Sequence, residues 1–245
     1  MRKYDILIIG GGAAGLAAAV SARKTNKDVT IAILEKSDRV AKKIHATGNG
    51  RCNYTNLDIK KDFFYGDEKF VEAVLSKFSS EDAIGFFKEL GIMPRFEEGR
   101  VYPVSNQASA VAESLRLYLI ENNVDFICDV KATDIEKANN GFIVNGFFAK
   151  KVIVATGGKA SPNLGSDGSG YKLLEKFGHT VTKLKPALVS LKTENEMTKP
   201  LKGVKVFARV TLWDRDKKVK SDIGEILFTD YGVSGIPVVQ TLKSA

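Results

Sequence analysis

The sequence predicts an α/β protein with a mainly parallel sheet, followed by the start of a β-rich segment. Three observations predict it. A short apolar run, a triple glycine and a small-residue helix succeed one another at the N-terminus. A second apolar run, 151–156, ends at another glycine pair. Beyond about Pro186 the pattern changes to two-residue alternation.

Tyr4-Asp5-Ile6-Leu7-Ile8-Ile9 is almost wholly apolar, as in a strand buried on both faces of a parallel sheet. Residues 13–24 then read as a helix with Ala14, Ala17, Ala18 and Ala22 on one face, where small side chains let it lie close to the sheet. Residues 29–34 are the next buried strand, completing a strand–turn–helix–strand unit of about 30 residues, enough for a right-handed crossover. Residues 37–65 are rich in Gly and Asn and lack periodicity; a loop of that length within a compact domain points to function. Two amphipathic helices follow at 70–78 and 82–90, the second stopped by Gly91. A hairpin at 95–104 turns at Glu98-Gly99. Residues 108–121 form a helix whose apolar stripe is Ala112, Leu115, Leu119 and Ile120. Residues 124–128 are a strand, and strands at 133–135 and 142–144 flank the turn signal Asn139-Asn140-Gly141. The buried strand 151–156 leads to Gly157-Gly158, and helix 168–177 ends at Gly178. Past Pro186, segments 204–213, 219–221 and 225–229 alternate like antiparallel strands. The expected domains are 1–185 and 186–245.

Composition narrows the function classes. The chain has 245 residues, 44% hydrophobic and 27% charged, with 22 Gly and 6 Pro. That is globular composition, which excludes disorder, collagen and long coiled coil. Cys52 and Cys128 are the only cysteines, and His45 and His179 the only histidines. They exclude a disulfide scaffold and leave no ligand spacing for zinc, so no metal site is expected. The net charge is +8, yet the basic residues are scattered as pairs such as Lys42-Lys43 and Lys217-Lys218, without interleaved aromatics in sequence. A solvated basic surface is the expectation, and a nucleic-acid partner is not. Met1-Arg2-Lys3 followed by residues 6–22 has the outline of a signal peptide, but Asp5 and Gly10-Gly11-Gly12 interrupt it. No membrane span is expected and the assigned compartment is the cytoplasm.

The N-terminal unit carries a dinucleotide fingerprint. Gly10-x-Gly12-x-x-Gly15 follows a strand and opens a helix, and Glu35 closes the next strand 20 residues after Gly15. The first glycine permits the tight turn, the second lets the backbone approach a pyrophosphate, and the third lets helix and strand pack closely. Amide N–H groups and the helix dipole then hold the diphosphate. Glu35 accepts the ribose hydroxyls and disfavours a 2′-phosphate, which argues against NADP at this site but leaves FAD and NAD open.

Three further segments bear on that choice. Thr47-Gly48-Asn49-Gly50-Arg51-Cys52-Asn53-Tyr54-Thr55-Asn56 offers backbone amides, the charge of Arg51 and the amides of Asn53 and Asn56. Thr156-Gly157-Gly158 lies at the C-terminal edge of a strand, where open α/β sheets bind ligands. Gly165-Ser166-Asp167-Gly168-Ser169-Gly170 opens a helix and suits a second anion. Lys43 is expected near the pyrophosphate. Cys52 lacks a neighbouring second cysteine, which favours a packed residue shaping the loop over a redox role; Cys128 reads as core, His179 as surface, and His45 as lying within sight of a cofactor.

Through these residues the chain resembles the BaiN-type, aminoacetone-oxidase-like flavoproteins of the two-dinucleotide-binding-domain superfamily. The resemblance is carried by Gly10–Gly15, Glu35, Thr47–Asn56, Gly99–Asn106, Ala155–Gly158, Gly165–Tyr171, Pro186-Ala187-Leu188-Val189, Gly224–Thr229 and Gly232–Gly235. It implies a Rossmann-like FAD domain interrupted by an inserted β-rich domain, and an oxidoreductase acting on a small molecule. Members run longer, returning to the flavin domain after the insertion. The chain ends at Ala245, inside the inserted domain, so the expectation is that the adenosine and pyrophosphate contacts are present and part of the flavin-ring site is not. Asp230 stands where many members carry histidine, so no proton chemistry is assigned to it. The residues expected to bind FAD are Gly10, Gly12, Ala13, Ala14, Gly15, Glu35, Lys36, Lys43, Thr47, Gly48, Gly50, Arg51, Cys52, Asn53, Val130, Thr156, Gly157 and Gly158; no catalytic residue is assigned. NADH or NADPH is the expected reductant. The competing readings are a non-catalytic FAD-binding or RNA-linked protein, an NAD-dependent dehydrogenase, and an inactive remnant. Oligomeric state is not legible in the sequence.

Overall fold

The computed structural model describes residues 1–64, 67–186, 189–193 and 198–242. Tyr65, at the end of the long loop, and Ala187 and Leu188 of the 186–189 motif lie outside the described residues. The chain divides into two compact units, Met1–Thr180 and Val181–Ala245.

In the first unit, β1 (Lys3–Ile9) passes through the glycine turn into α1 (Ala13–Thr25) and β2 (Ile31–Leu34), the crossover read from the sequence. A 3-10 segment at Ile44–Gly50 and the short β3 (Thr55–Asn56) break up the long loop. There follow α2 (Glu68–Leu75), α3 (Ser80–Glu89), β4 (Pro94–Glu97), β5 (Arg100–Pro103), α4 (Ala108–Glu121) and β6 (Val124–Ile127). The unit continues with β7 (Glu136–Ala138), β8 (Gly141–Val144), β9 (Phe147–Val154) and α5 (Ser169–Glu175). The main sheet has the order β6-β2-β1-β9-β8-β7. Its first four strands are parallel, while β8 and β7 run antiparallel. Because β2 lies on one side of β1 and β9 on the other, the carboxyl ends of these strands open a crevice, the position where such sheets take ligands.

Strand alternation explains why β1 and β2 are apolar throughout. Ile8, Ile31 and Ile33 face α1 and α4 in one core layer, with Leu16, Val20, Leu115 and Leu119. Leu7, Ile9, Ala32 and Leu34 face the other layer, with Val144, Ala149 and Leu173. Each such fully buried aliphatic side chain contributes about 1.5–3 kcal/mol relative to exposure. The α3 start is fixed by a capping box, in which Ser79 and Asp82 satisfy each other's backbone N–H.

The fold is α/β as expected, but several local readings need correcting. The buried stripe of α1 is Gly15, Leu16, Ala19, Val20 and Arg23; Ala14 is exposed and Ala17, Ala18 and Ala22 are half-buried. The larger Leu16 and Val20 take the core, and the alanines flank it. In α4, Val111 joins the stripe and Ile120 lies outside it, exposed. β7 lies at Glu136–Ala138 rather than 133–135, because the Asn139-Asn140 turn pairs Ala138 with Gly141. β9 starts at Phe147, earlier than expected, because Asn145 and Gly146 both adopt positive φ and make a second tight turn. α2 buries none of its residues.

The second unit contains β10 (Leu191–Lys192), β11 (Lys205–Asp214), β12 (Lys217–Thr229), β13 (Gly232–Ser234) and α6 (Ile236–Leu242). They form an antiparallel sheet in the order β10-β13-β12-β11. The two expected strands at 219–221 and 225–229 are one 13-residue strand, which stays paired across a bulge opposite Leu212 and Trp213. The apolar stretch at 236–239 opens α6, and Pro237 packs so closely over Gly224 that a Cβ there would lie 2.8 Å from Pro237 Cγ. Among the described residues no helix is long and apolar enough to cross a membrane, and no group of His, Cys, Asp and Glu side chains could hold a metal ion.

Candidate functional site

At the end of β1, Gly10 takes φ +107° and donates its N–H to Leu34 O at 2.8 Å. A Cβ on Gly10 would lie 2.5 Å from Ala155 O, and one on Gly15 would lie 1.9 Å from Gly10 O. Both are therefore glycine because backbone meets backbone there. Gly12 differs: a Cβ on it would meet nothing within 4 Å. It faces open space and is the N-cap of α1, with no side-chain cap and no acidic residue in the first turn. The first N–H groups of that helix have no intrahelical partner. They border a cleft of about 260 Å³ lined by Gly10, Gly11, Gly12, Ala13, Ala14, Glu35, Lys43, Thr47, Thr156, Gly157 and Gly158 among others.

Glu35 is held rigidly at this cleft. Gly11 N–H donates to Oε2 and Ser37 N–H to Oε1, both at 2.8 Å. Its backbone bonds Ile127 O and receives Val130 N–H. Each carboxylate oxygen keeps acceptor capacity for a further donor. Lys36 and Val130 line an adjoining recess of about 40 Å³, which shares Gly10, Glu35 and Thr156 with the cleft.

The segment 158–168 straps the cleft's rim. Lys43 Nζ donates to Ala160 O at 2.7 Å and Ser166 Oγ at 2.6 Å. Lys36 Nζ pairs with Asp167 Oδ2 at 2.8 Å, and Ser169 N–H donates to Asp167 Oδ1 at 2.9 Å. The Lys36 ammonium, then Ser169, holds the Asp167 carboxyl well below the usual carboxylate range. Sequence reasoning flagged 165–170 as an anion cradle and missed this latch; it also missed Gly11 and Ser37 as the donors that aim Glu35. A third consecutive glycine was the available signal for Gly11. Nothing in the local pattern signals a lysine reaching across more than a hundred residues.

The remaining expected residues lie in the next loop, of which Thr47 lines the cleft. Gly48 turns at φ +56° where a Cβ would lie 2.5 Å from Asn53 N. Gly50 takes φ +81°. Arg51 donates to both Glu97 carboxylate oxygens at 3.1 and 3.2 Å and to Tyr102 Oη at 3.2 Å, with its guanidinium 4.2 Å from the Tyr102 ring centroid. Its charge is thus engaged by the β4–β5 hairpin. The Asn53 amide, oriented to donate, reaches Thr55 O at 2.8 Å, and Asn56 Oδ1 accepts Asp58 N–H. Cys52 is buried, and burial pushes its thiol pKa up. Cys128, half-buried, is also shifted up by burial, then by the charge of Glu35. His45 is half-buried and lies near Glu113, whose carboxyl is lowered first by Arg116 and more weakly by His45. His179 is exposed beyond α5.

The geometry agrees with what the chain resembles. The 3-dehydro-bile acid delta(4,6)-reductase of Clostridium scindens is 40% identical over 238 residues, covering 95% of this chain and 58% of that protein. The ribosomal RNA dihydrouridine synthase of Haemophilus influenzae is 29% identical, covering 98% of this chain and 61% of that protein. This chain therefore spans about three fifths of the length of these relatives. The structure titled as the open conformation of a flavocytochrome c3 fumarate reductase superposes with a TM-score of 0.61 at 17% identity, over 84% of this chain and 47% of that one, a likeness of fold. The profile described as the HI0933-like protein Rossmann domain matches residues 4–239. This chain belongs to the HI0933-like Rossmann-domain family.

Proposed function

We propose that the first unit binds FAD and that the chain belongs to a cytoplasmic FAD-dependent oxidoreductase of a small molecule, with NADH or NADPH as reductant. One observation carries the reading: the uncapped α1 N-terminus opens beside Gly12 onto empty space, with Glu35 fixed across it. A site that encloses a whole drug-sized ligand has about 300–1,000 Å³. The 260 Å³ cleft is below that range and suits a diphosphate with its ribose rather than an entire dinucleotide. The residues at the cleft fit those groups: amides of Gly12, Ala13 and Ala14 for phosphate oxygens, Glu35 for ribose hydroxyls, and the recess at Val130 for the base. Lys36 and Lys43 hold the 158–168 strap at the rim. When bound, the flavin supplies two-electron transfer; the protein binds, orients and shields it.

The name of the 40%-identical relative motivates the substrate class, a small molecule bearing a reducible carbon–carbon double bond. A second reading, reduction of a base in RNA, is favoured by the 29%-identical relative's name and by the +8 charge. The test is the visible spectrum of the purified chain with FAD titration, then rapid mixing with NADH or NADPH. A flavin spectrum and saturable FAD binding are expected. A colourless chain that takes NAD and not FAD overturns the proposal.

A further inference from the structure

We propose, resting on the cofactor reading above, that the 158–168 strap is an autoinhibitory gate whose Lys36–Asp167 ion pair must part before the base of the nucleotide can enter. Every group in this gate belongs to the first unit. The strap is built to move as one piece. It leaves Gly157 at φ +74° and reaches Gly168 at φ +80°. Its ends are pinned together where Gly168 N–H donates to Gly158 O at 3.0 Å. A loop closed at its base in this way is an Ω-loop, and its end residues are where a hinge absorbs rotation. Two lysines fasten it from the far side of the crevice. Lys43 Nζ holds Ala160 O and Ser166 Oγ, and Lys36 Nζ holds Asp167 Oδ2.

The second of these bonds joins the two sides of the adenosine end. The recess assigned to the base has Leu34, Glu35 and Lys36, at the end of β2, on one side and Gly165 and Ser169, beyond β9, on the other. β1 separates those two strands in the sheet. Lys36 therefore lines one side, and its partner Asp167 lies between two residues that line the opposite one. With the pair made, the recess of about 40 Å³ has room for about three waters and not for a purine. The neighbouring cleft, at about 260 Å³, is open in the same state. The site thus admits phosphates and excludes the base. The Lys36 ammonium holds the Asp167 carboxyl well below the usual carboxylate range, so the gate is made at neutral pH. Both side chains are partly exposed, so the pair is weak enough to part. A ligand that needs the open form has its affinity reduced by the fraction of open gate, and an ion pair of this kind withholds about fivefold at most.

Asp167→Asn removes the charge and keeps the side-chain oxygen that accepts Ser169 N–H. In a calorimetric titration, ADP is expected to bind this variant about threefold more tightly than the wild-type chain, a gain where the loss of a ligand contact would give a loss. Inorganic pyrophosphate, which enters the cleft and not the recess, is expected to bind both equally. A far-ultraviolet spectrum checks folding. In the wild-type chain, saturating ADP is expected to speed amide exchange across 158–168, because the base holds the strap off Lys36. ADP binding both chains equally, or the variant more weakly, overturns the gate and leaves the cofactor reading standing. So does an equal gain for pyrophosphate, which would assign the effect to the freed Lys36 charge, or slower exchange in the ADP complex, which would make the strap a cover that closes on its ligand. No saturable binding of ADP by either chain overturns the gate and the cofactor reading together.

Discussion

The turn at 10–15 and the loop at 47–53 are both glycine-rich, yet Gly12 and Gly48 serve opposite uses. In the first, Gly10 and Gly15 let strand and helix meet, and Gly12 leaves a cleft empty. In the second, Gly48 makes room for Asn53, while Arg51 and Asn53 turn to the neighbouring hairpin. Gly12 leaves a vacancy that a ligand can enter; Gly48 is spent on packing the chain against itself, while Gly50, whose Cβ would also meet nothing within 4 Å, is held at φ +81°, where the turn itself calls for glycine. Glycine content alone does not distinguish the two uses; the space at a missing Cβ taken together with the backbone φ does.

The comparison is broken most severely at Gly15. Alanine there would place a methyl carbon 1.9 Å from Gly10 O, and the atom it meets is backbone, so the helix must move off the sheet. Gly15→Ala is expected to lower stability by about 3 kcal/mol, the upper end of ordinary overpacking, read as the urea midpoint at unchanged slope. A wild-type midpoint would mean that α1 and β1 are not in the contact described.

Gly12→Ala separates space for a ligand from space for the fold. Its Cβ meets no protein atom and its φ of −80° suits any residue. The weaker N-cap costs no more than about 1 kcal/mol, whereas FAD affinity is expected to fall about tenfold, or 1.4 kcal/mol, in an equilibrium titration. Equal loss of stability and affinity would show that Gly12 serves the fold, as Gly48 does.

How much of this was legible follows from the range of each interaction. The β1–α1–β2 unit was read directly, because apolar runs, glycine spacing and the acid at 35 are local signals. Glu35 was found, but Gly11 and Ser37, which aim it, were not, since a backbone donor leaves no mark in residue type. Lys43 was placed near the cleft, yet its bond to Ser166 joins positions that only the sheet brings together. The α1 face was misassigned because small residues mark close approach without saying which side is approached. In the 47–53 loop, the sequence shows the charge of Arg51 but not the hairpin that supplies its partners Glu97 and Tyr102.

Arg51 sharpens the contrast at smaller cost. Its ion pair with Glu97 is about one-third exposed on each side, so solvent screens it. Arg51→Met is expected to cost about 1 kcal/mol of stability while leaving affinity for ADP, which carries only the adenosine and diphosphate, unchanged in a calorimetric titration. Loss of ADP affinity equal to that of Gly12→Ala would place Arg51 at the diphosphate and erase the distinction between the loops.

The smallest effect is a matter of pH, and it concerns the strap that borders the first loop alone. Asp167 is held in its charged form by Lys36, so its folded-state pKa lies below its unfolded one. The linkage then has a definite sign: the contribution is fully present above about pH 4, near the carboxylate's unfolded value, and is lost as acidity carries the pH below that range. Because the Asp167 side chain is 35% exposed, the contribution is screened to about 1 kcal/mol or less. It should show as faster amide exchange across 158–168 on acidification, before the global transition. Asp167→Asn removes the charge that Lys36 reads, so its exchange in this segment should already be fast at neutral pH and flat through the acid limb. A wild-type acid limb in that variant would assign the acid sensitivity to another carboxylate and leave the strap without a latch.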